Sequence, residues 1–117
     1  MSWFKVDDKL HSHPKVLQVP LRAMGLWVKA GAWCSDHLTD GHVPKAILPV
    51  LGGNAGDARA LVGAGLWVAH GDGWVFHDWL EQNPSRAEVE AEREKNRERM
   101  AEWRRKKKLK AIRGGAS

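Results

Sequence analysis

Residues 39–79 read TDGHVPKAILPVLGGNAGDARALVGAGLWVAHGDGWVFHDW, and the punctuation of this stretch cuts it into pieces whose order decides the fold. Thr39-Asp40-Gly41 is a turn, Pro44 suits the first position of a short helix, and Gly52-Gly53 makes a second turn. Asn54 offers a side-chain oxygen to cap a second helix, with Asp57 three residues on as the acidic partner a helix N-terminus favours. Gly65 stands where a left-handed residue would end that helix. Residues 66–70 and 74–79 are two β-prone runs joined by Gly71-Asp72-Gly73, and Asp-Gly is a strong hairpin signal. Helix, tight turn, helix, hairpin is the order of a winged helix-turn-helix. The expected fold class is therefore α+β: a winged helix-turn-helix of three to four helices with a β-hairpin wing over residues 1–83, followed over 84–117 by a charged, C-terminally basic helix and flexible tail.

Within the pair, Ile47, Leu48 and Leu51 are expected to face inward from the first helix, which Pro49 kinks or shortens by removing a backbone donor. Ala58, Leu61 and Val62 form the inward stripe of the second. Gly56, Asp57, Arg59, Ala60 and Gly63 are left outside, a poor face for reading bases because Arg is the commonest specific reader of guanine. In the hairpin, Leu66 and Val68 share a face with Trp74 and Phe76 by two-residue alternation. Trp67, Val75, His77 and Trp79 then make the other face, too apolar to be left in water.

Upstream, Trp3, Phe4 and Val6 suit an edge strand against that hairpin. Ser12 caps a short helix over 14–19 that Pro20 ends. Residues 21–38 are apolar nearly all round, and their charges, Arg22, Lys29 and Asp36, recur seven apart on one stripe of a helical period. This predicts a central helix with Met24, Leu26, Trp27, Val28, Trp33 and Cys34 buried. With 117 residues, 43% of them hydrophobic, and seven Trp, one domain and an appendage can form. The single Cys34 excludes an internal disulfide. No signal peptide opens the chain and 21–38 is short for a membrane span, so the expected location is cytoplasmic.

The net charge of +5 is unevenly placed. Residues 1–83 hold seven Lys/Arg against eight Asp/Glu, a balance of −1, whereas 84–117 hold twelve against six, a balance of +6. After Pro84, Ser85-x-x-Glu88 matches a reciprocal helix cap, and residues 86–110 lack Gly and Pro and are dense in helix formers. Val89, Met100 and Trp103 are too sparse for a coiled-coil seam. Arg104, Arg105, Lys106, Lys107, Lys108, Lys110 and Arg113 follow Trp103 with no acid among them, a nucleic-acid footprint in which counterion release supplies affinity and an indole stacks on a base or sugar. If all seven met phosphates, log K would fall against log salt with a slope near −6, from about −0.9 per contact. In the helix pair and wing, the expected DNA contacts are Lys45, Asn54, Arg59 and His70.

Enzymatic motifs are missing: there is no Walker loop and no nucleophile elbow, and His77-Asp78 reads as a satisfied histidine at a strand end. His11 with His13, and Cys34 with His37, are the closest approach to metal-ligand spacing, without zinc-finger recurrence. No catalytic residue, cofactor or metal is expected.

These residues together carry a family resemblance: His13-Pro14-Lys15-Val16, Gly25-Leu26-Trp27, Gly31 with Trp33, Asp40-Gly41-His42-Val43-Pro44, Gly65-Leu66-Trp67, and Gly73-Trp74 through Trp79, then the Glu/Arg-rich helix. The chain resembles small winged-helix DNA-binding proteins of actinobacterial phages, similar in plan to the N-terminal domain of phage replication initiators or replisome organisers. The resemblance implies binding of double-stranded DNA in replication initiation or transcriptional control, in the cytoplasm of an infected bacterial host. Initiators usually carry a further helicase-loading or oligomerising domain, for which this sequence shows no counterpart. A replication or transcription protein and a second copy of the chain are further candidate partners; a membrane is not. The alternative expectation is a winged-helix interaction module that docks on such a host or phage protein.

Overall fold

Pro20 starts and Leu38 stops the central helix of the fold. The structure, a computed structural model, describes residues 3–115, and of residues 113–115 the backbone alone. Two four-residue or shorter turns of helix come first: a 3-10 turn at Leu10–Ser12 and α1 (Pro14–Leu17). The expected cap at Ser12 is replaced by His13, whose side chain accepts a hydrogen bond from the Lys15 backbone N–H. Helix α2 (Leu21–His37) follows, closed by Leu38 in the left-handed region at φ 54°. Apart from Ser35, its buried residues, Ala23, Leu26, Trp27, Ala30, Gly31 and Cys34, recur at the three- and four-residue spacing of a single face. That face alone is covered, which corrects the expectation of burial nearly all round. Val28 is half exposed and Leu21 90% exposed.

The sheet has three antiparallel strands in the order β1 (His42–Val43), β3 (Gly73–Phe76), β2 (Trp67–His70). Trp67 pairs with Phe76, Val68 with Val75 and Ala69 with Trp74, while Val43 meets Trp74 from the other side. The inward face is thus Trp67, Phe76, Trp74 and Val43; Val68 and Val75 share the outward face with His42. This register corrects the expected grouping of Leu66 and Val68 with Trp74 and Phe76, since a shift of one residue exchanges the faces of a strand. Strand β3 also ends earlier than the expected run to Trp79. Asp78, at φ 60°, turns the chain into α4 (Trp79–Gln82), which buries Trp79.

No edge strand forms at Trp3–Val6 among the described residues; β1 occupies the free side of β3 instead. Phe4 enters the core as a ring. Its centroid lies 5.0 Å from that of Trp27, 5.8 Å from Phe76 and 5.7 Å from Trp79, distances at which aromatic pairs add to plain area burial. Gly31 makes room for it: a Cβ there would come within 2.3 Å of the Phe4 ring. Asn83, buried, accepts from the Lys5 backbone N–H at 2.9 Å and fastens this segment to the end of α4.

The expected helix after Pro44 is only a 3-10 turn, Lys45–Ile47, because Pro49 has no N–H to extend an α ladder. Leu48 is buried; Ile47 and Leu51 are half-buried. Then α3 (Ala55–Gly63) begins with the full reciprocal cap: Asn54 accepts from the Asp57 N–H, and the Asp57 carboxylate accepts from the Asn54 N–H. Gly65 takes φ 79° just beyond its end. Leu61 and Ala58 are buried as expected, but Val62 is 37% exposed and Asp57, expected outside, is buried. Asp57 faces inward because Arg22 of α2 reaches it, Nε lying 3.1 and 3.0 Å from its two oxygens.

Helix α5 (Arg86–Gly115) is 30 residues long, about 45 Å at 1.5 Å per residue. Its first backbone N–H donates to the Asp40 carboxylate at 2.6 Å. The chain divides into two compact units between Arg86 and Ala87. No helix among the described residues is long and apolar enough to cross a membrane.

Candidate nucleic-acid interface

In the first unit the four expected contact residues fall into two groups. Lys45 is exposed, and its backbone lies against Gly73 at the base of the hairpin turn, the turn that carries His70. The His70 ring stands edge-on to His42 with centroids 5.6 Å apart. Asn54 and Arg59 sit together on α3, both exposed, but Asn54 already uses its Oδ1 in the cap. Among the described residues no hydrogen bond or ion pair joins one group to the other.

Two further cations, not among the expected contacts, lie beside the 51–53 turn that precedes α3. Arg22 and Lys29, one on each side of Gly25 on α2, line a groove of about 190 Å³ together with Leu26, Leu51 and Gly52. Arg22 is held there by Asp57 and by donation from Nη2 to the Gly52 carbonyl at 3.2 Å. Their seven-residue spacing was legible as a wet stripe. That the stripe adjoins the 51–53 turn follows from tertiary packing, for which no local signal exists.

Helix α5 carries the cations in quantity. Arg104, Arg105, Lys106, Lys107, Lys108 and Lys110 are all exposed; the side chain of Arg113 lies outside the described residues. Among these six the recorded ion pair is Lys106 with Glu102, at 3.3 Å. Trp103 is 54% exposed, with the Lys107 ammonium 4.9 Å from its ring centroid, a cation–π distance. Farther upstream the charges are engaged with one another: Arg97 with Glu94, and Arg99 with both Glu92 and Asn96.

A second cleft, of about 180 Å³, opens over Trp27 and Leu66 and is rimmed by Lys5, Asp7, Lys15 and the His77–Asp78 pair. The His77 Nε2 lies 2.9 Å from the Asp78 carboxylate, so the imidazole is engaged by its chain neighbour. No hydroxyl or thiol nucleophile lines this cleft. Cys34 is fully buried, donates to the His42 carbonyl at 3.5 Å, and has its pKa pushed up to about 11 by that burial. Its proposed helical neighbour His37 stacks instead on Trp33. Among the described residues no three His, Cys, Asp or Glu side chains converge as a metal site would require.

No family model, curated protein or solved structure matches this chain.

Proposed function

We propose that the chain is a non-catalytic DNA-binding protein of winged helix-turn-helix plan, which holds duplex DNA chiefly through phosphate contacts from α5 and adds a few contacts from the first unit. One observation carries the reading: six exposed cations in seven positions, 104–110, with a single recorded ion pair among them and an exposed indole beside them. Unpaired, solvated cations in that density are what counterion release acts on. The capped α3 and the β2–β3 hairpin supply the helix and wing of the plan, and the 3-10 turn at Lys45–Ile47 stands where its preceding helix would be. The outer face of α3 offers Arg59 amid Ala55, Gly56 and Gly63, so base reading is sparse and specificity modest. A role in phage replication initiation or transcriptional control, in a bacterial cytoplasm, follows the sequence resemblance.

The test is fluorescence anisotropy with random and intergenic duplexes over a range of salt, for the whole chain and for a chain ending at Met100. A steep slope that becomes shallow on truncation is the expected result; equal slopes remove α5 from the mechanism. A second reading, a docking module for a replication or transcription protein, is favoured by the uncovered side of α2, where Leu21 and Val28 meet solvent. Unchanged DNA affinity after combined Lys45→Ala and Arg59→Ala substitution would favour that reading for the first unit.

A further inference from the structure

We infer that α5 meets the duplex along one face only, a seam of Arg93, Arg97, Met100, Arg104, Lys107 and Ala111, and that Arg93 and Arg97 belong to the interface although they precede the basic cluster. The inference rests on the DNA-binding reading and specifies its geometry. These six residues are spaced four, three, four, three and four apart and are all exposed. At about 100° per residue they stay within roughly 40° of a common direction along about 27 Å of helix. Glu94, Glu98 and Glu102 lie about 100° or more from that direction, on the far side. Over 93–102 the helix is therefore two-faced: Arg93, Arg97 and Met100 lie on one side, and Glu94, Glu98 and Glu102 lie on the other together with Lys95 and Arg99.

The spacing is that of a coiled-coil core, where apolar side chains hold two helices together. Here Arg, Arg, Arg and Lys occupy four of the six positions, so a second copy laid along the seam would set like charge against like. A polyanion is the complementary partner. Trp103 flanks the seam with Lys107 over its ring, placing an aromatic surface beside the cations, as in sites that combine phosphate contact with stacking. The Arg97–Glu94 pair is exposed on both sides, so a phosphate can replace the carboxylate without leaving a buried charge behind. Conversely Arg105, Lys106 and Lys110 point about 100° or more away from the seam, and Lys106 is held by Glu102. Seven simultaneous contacts from the basic cluster are thus excluded for one duplex face. Arg93, Arg97, Arg104, Lys107 and the adjacent Lys108 give five, and a salt slope near −4.5 at about −0.9 per contact.

Two full-length variants with equal charge loss test this. One carries Arg93→Gln, Arg97→Gln, Arg104→Gln and Lys107→Gln; the other carries Lys95→Gln, Arg99→Gln, Arg105→Gln and Lys106→Gln. Gln keeps helix propensity close to that of Arg and Lys, which far-ultraviolet circular dichroism verifies. With a random duplex, the seam variant should lose about 3.6 from the slope, four contacts' worth, and the off-seam variant less than about 1. Equal losses overturn the seam while leaving duplex binding in place. If the unsubstituted chain shows no salt-dependent duplex binding, the DNA-binding reading itself falls. Tighter, seam-dependent binding to phosphatidylserine vesicles than to duplex would overturn the assignment of the partner.

Discussion

The two units of this chain use the same side chains in opposite ways. In the first, charged and polar groups hold backbone in place: Asp57 caps α3 and grips Arg22, Asn83 receives the Lys5 N–H, and Asp40 receives the N–H of Arg86. Trp67 and Trp79 do the same for the core, being 1% and 6% exposed, although Trp3 of the same unit lies in water. In the second unit, cations outnumber their recorded partners and Trp103 lies in water. Groups consumed by a fold are poor candidates for a ligand, and groups left solvated at such density are good ones. The sharpest test of this contrast compares one Trp from each unit. Trp67→Ala should destabilise the fold by about 3–5 kcal/mol, which at roughly 4–8 °C per kcal/mol for a domain of this size is a large fall in melting temperature. Trp103→Ala should stay within about 0.5 kcal/mol. Comparable losses in thermal unfolding would break the comparison.

The next effect belongs to the first unit alone. Burial raises the Cys34 thiol from 9.0 to about 11, so the folded chain keeps a proton that the unfolded chain releases. The sign follows: this contribution is fully present below pH 9 and is lost as pH rises from 9 to 11. At roughly 1.4 kcal/mol per pKa unit the loss is about 2–3 kcal/mol. The chain has no Tyr, so no phenol titrates in the same window. Urea midpoints measured across that range should fall for the unsubstituted chain and flatten for Cys34→Ala; parallel curves would show that the thiol is not the group responsible.

How much of this was legible differs between the units for a physical reason. Caps and turns depend on neighbours in sequence, so the Asn54–Asp57 cap, the left-handed Gly65, the hairpin, the extent of α2 and the start of α5 were readable, while α5 runs to Gly115, past the expected end near Lys110. Faces and registers depend on what packs from elsewhere. Trp67 and Val68 differ by one position, and only the pairing with Phe76 and Val75 decides which is buried. Asp57 reads as an outward acid until Arg22, 35 residues away, is seen to hold it. Phe4 reads as strand, yet it acts as a ring seated over Gly31. Gly73 reads as a turn residue, and its stricter requirement is contact: a Cβ would lie 2.2 Å from the Val43 carbonyl of β1. In the candidate interface, the basic cluster was visible as composition, whereas its division into a seam and a back face needed the helix to be continuous from Arg86 onward.

A carboxylate from each unit gives a smaller contrast. Asp57 lies within the fold and serves both the cap and Arg22, so Asp57→Ala should cost about 0.5–2 kcal/mol, the range for a lost helix cap. Glu94 pairs with Arg97 in solvent, where ion pairs contribute roughly 0–1 kcal/mol, and Glu94→Ala should leave the melting temperature nearly unchanged. Equal effects would mean that α5 contributes to the stability of the fold.

The smallest effect concerns α5 by itself. Arg104 with Lys108 and Lys106 with Lys110 are like charges four apart, and Arg104 with Lys107, Arg105 with Lys108 and Lys107 with Lys110 are three apart. Each such pair opposes the helix by roughly 0.2–0.5 kcal/mol, against which the segment has the single recorded Lys106–Glu102 pair. Screening removes repulsion between exposed charges once the Debye length falls below their separation. Added salt should therefore raise the 222 nm helical signal slightly while the near-ultraviolet signal of the Trp-rich core stays fixed, and a short duplex should do so at lower ionic strength. A fall in helical signal with salt would mean that the Glu–Arg pairs upstream, not the cation repulsion, dominate the helix, and α5 would then be held together by the very charges assigned to its partner.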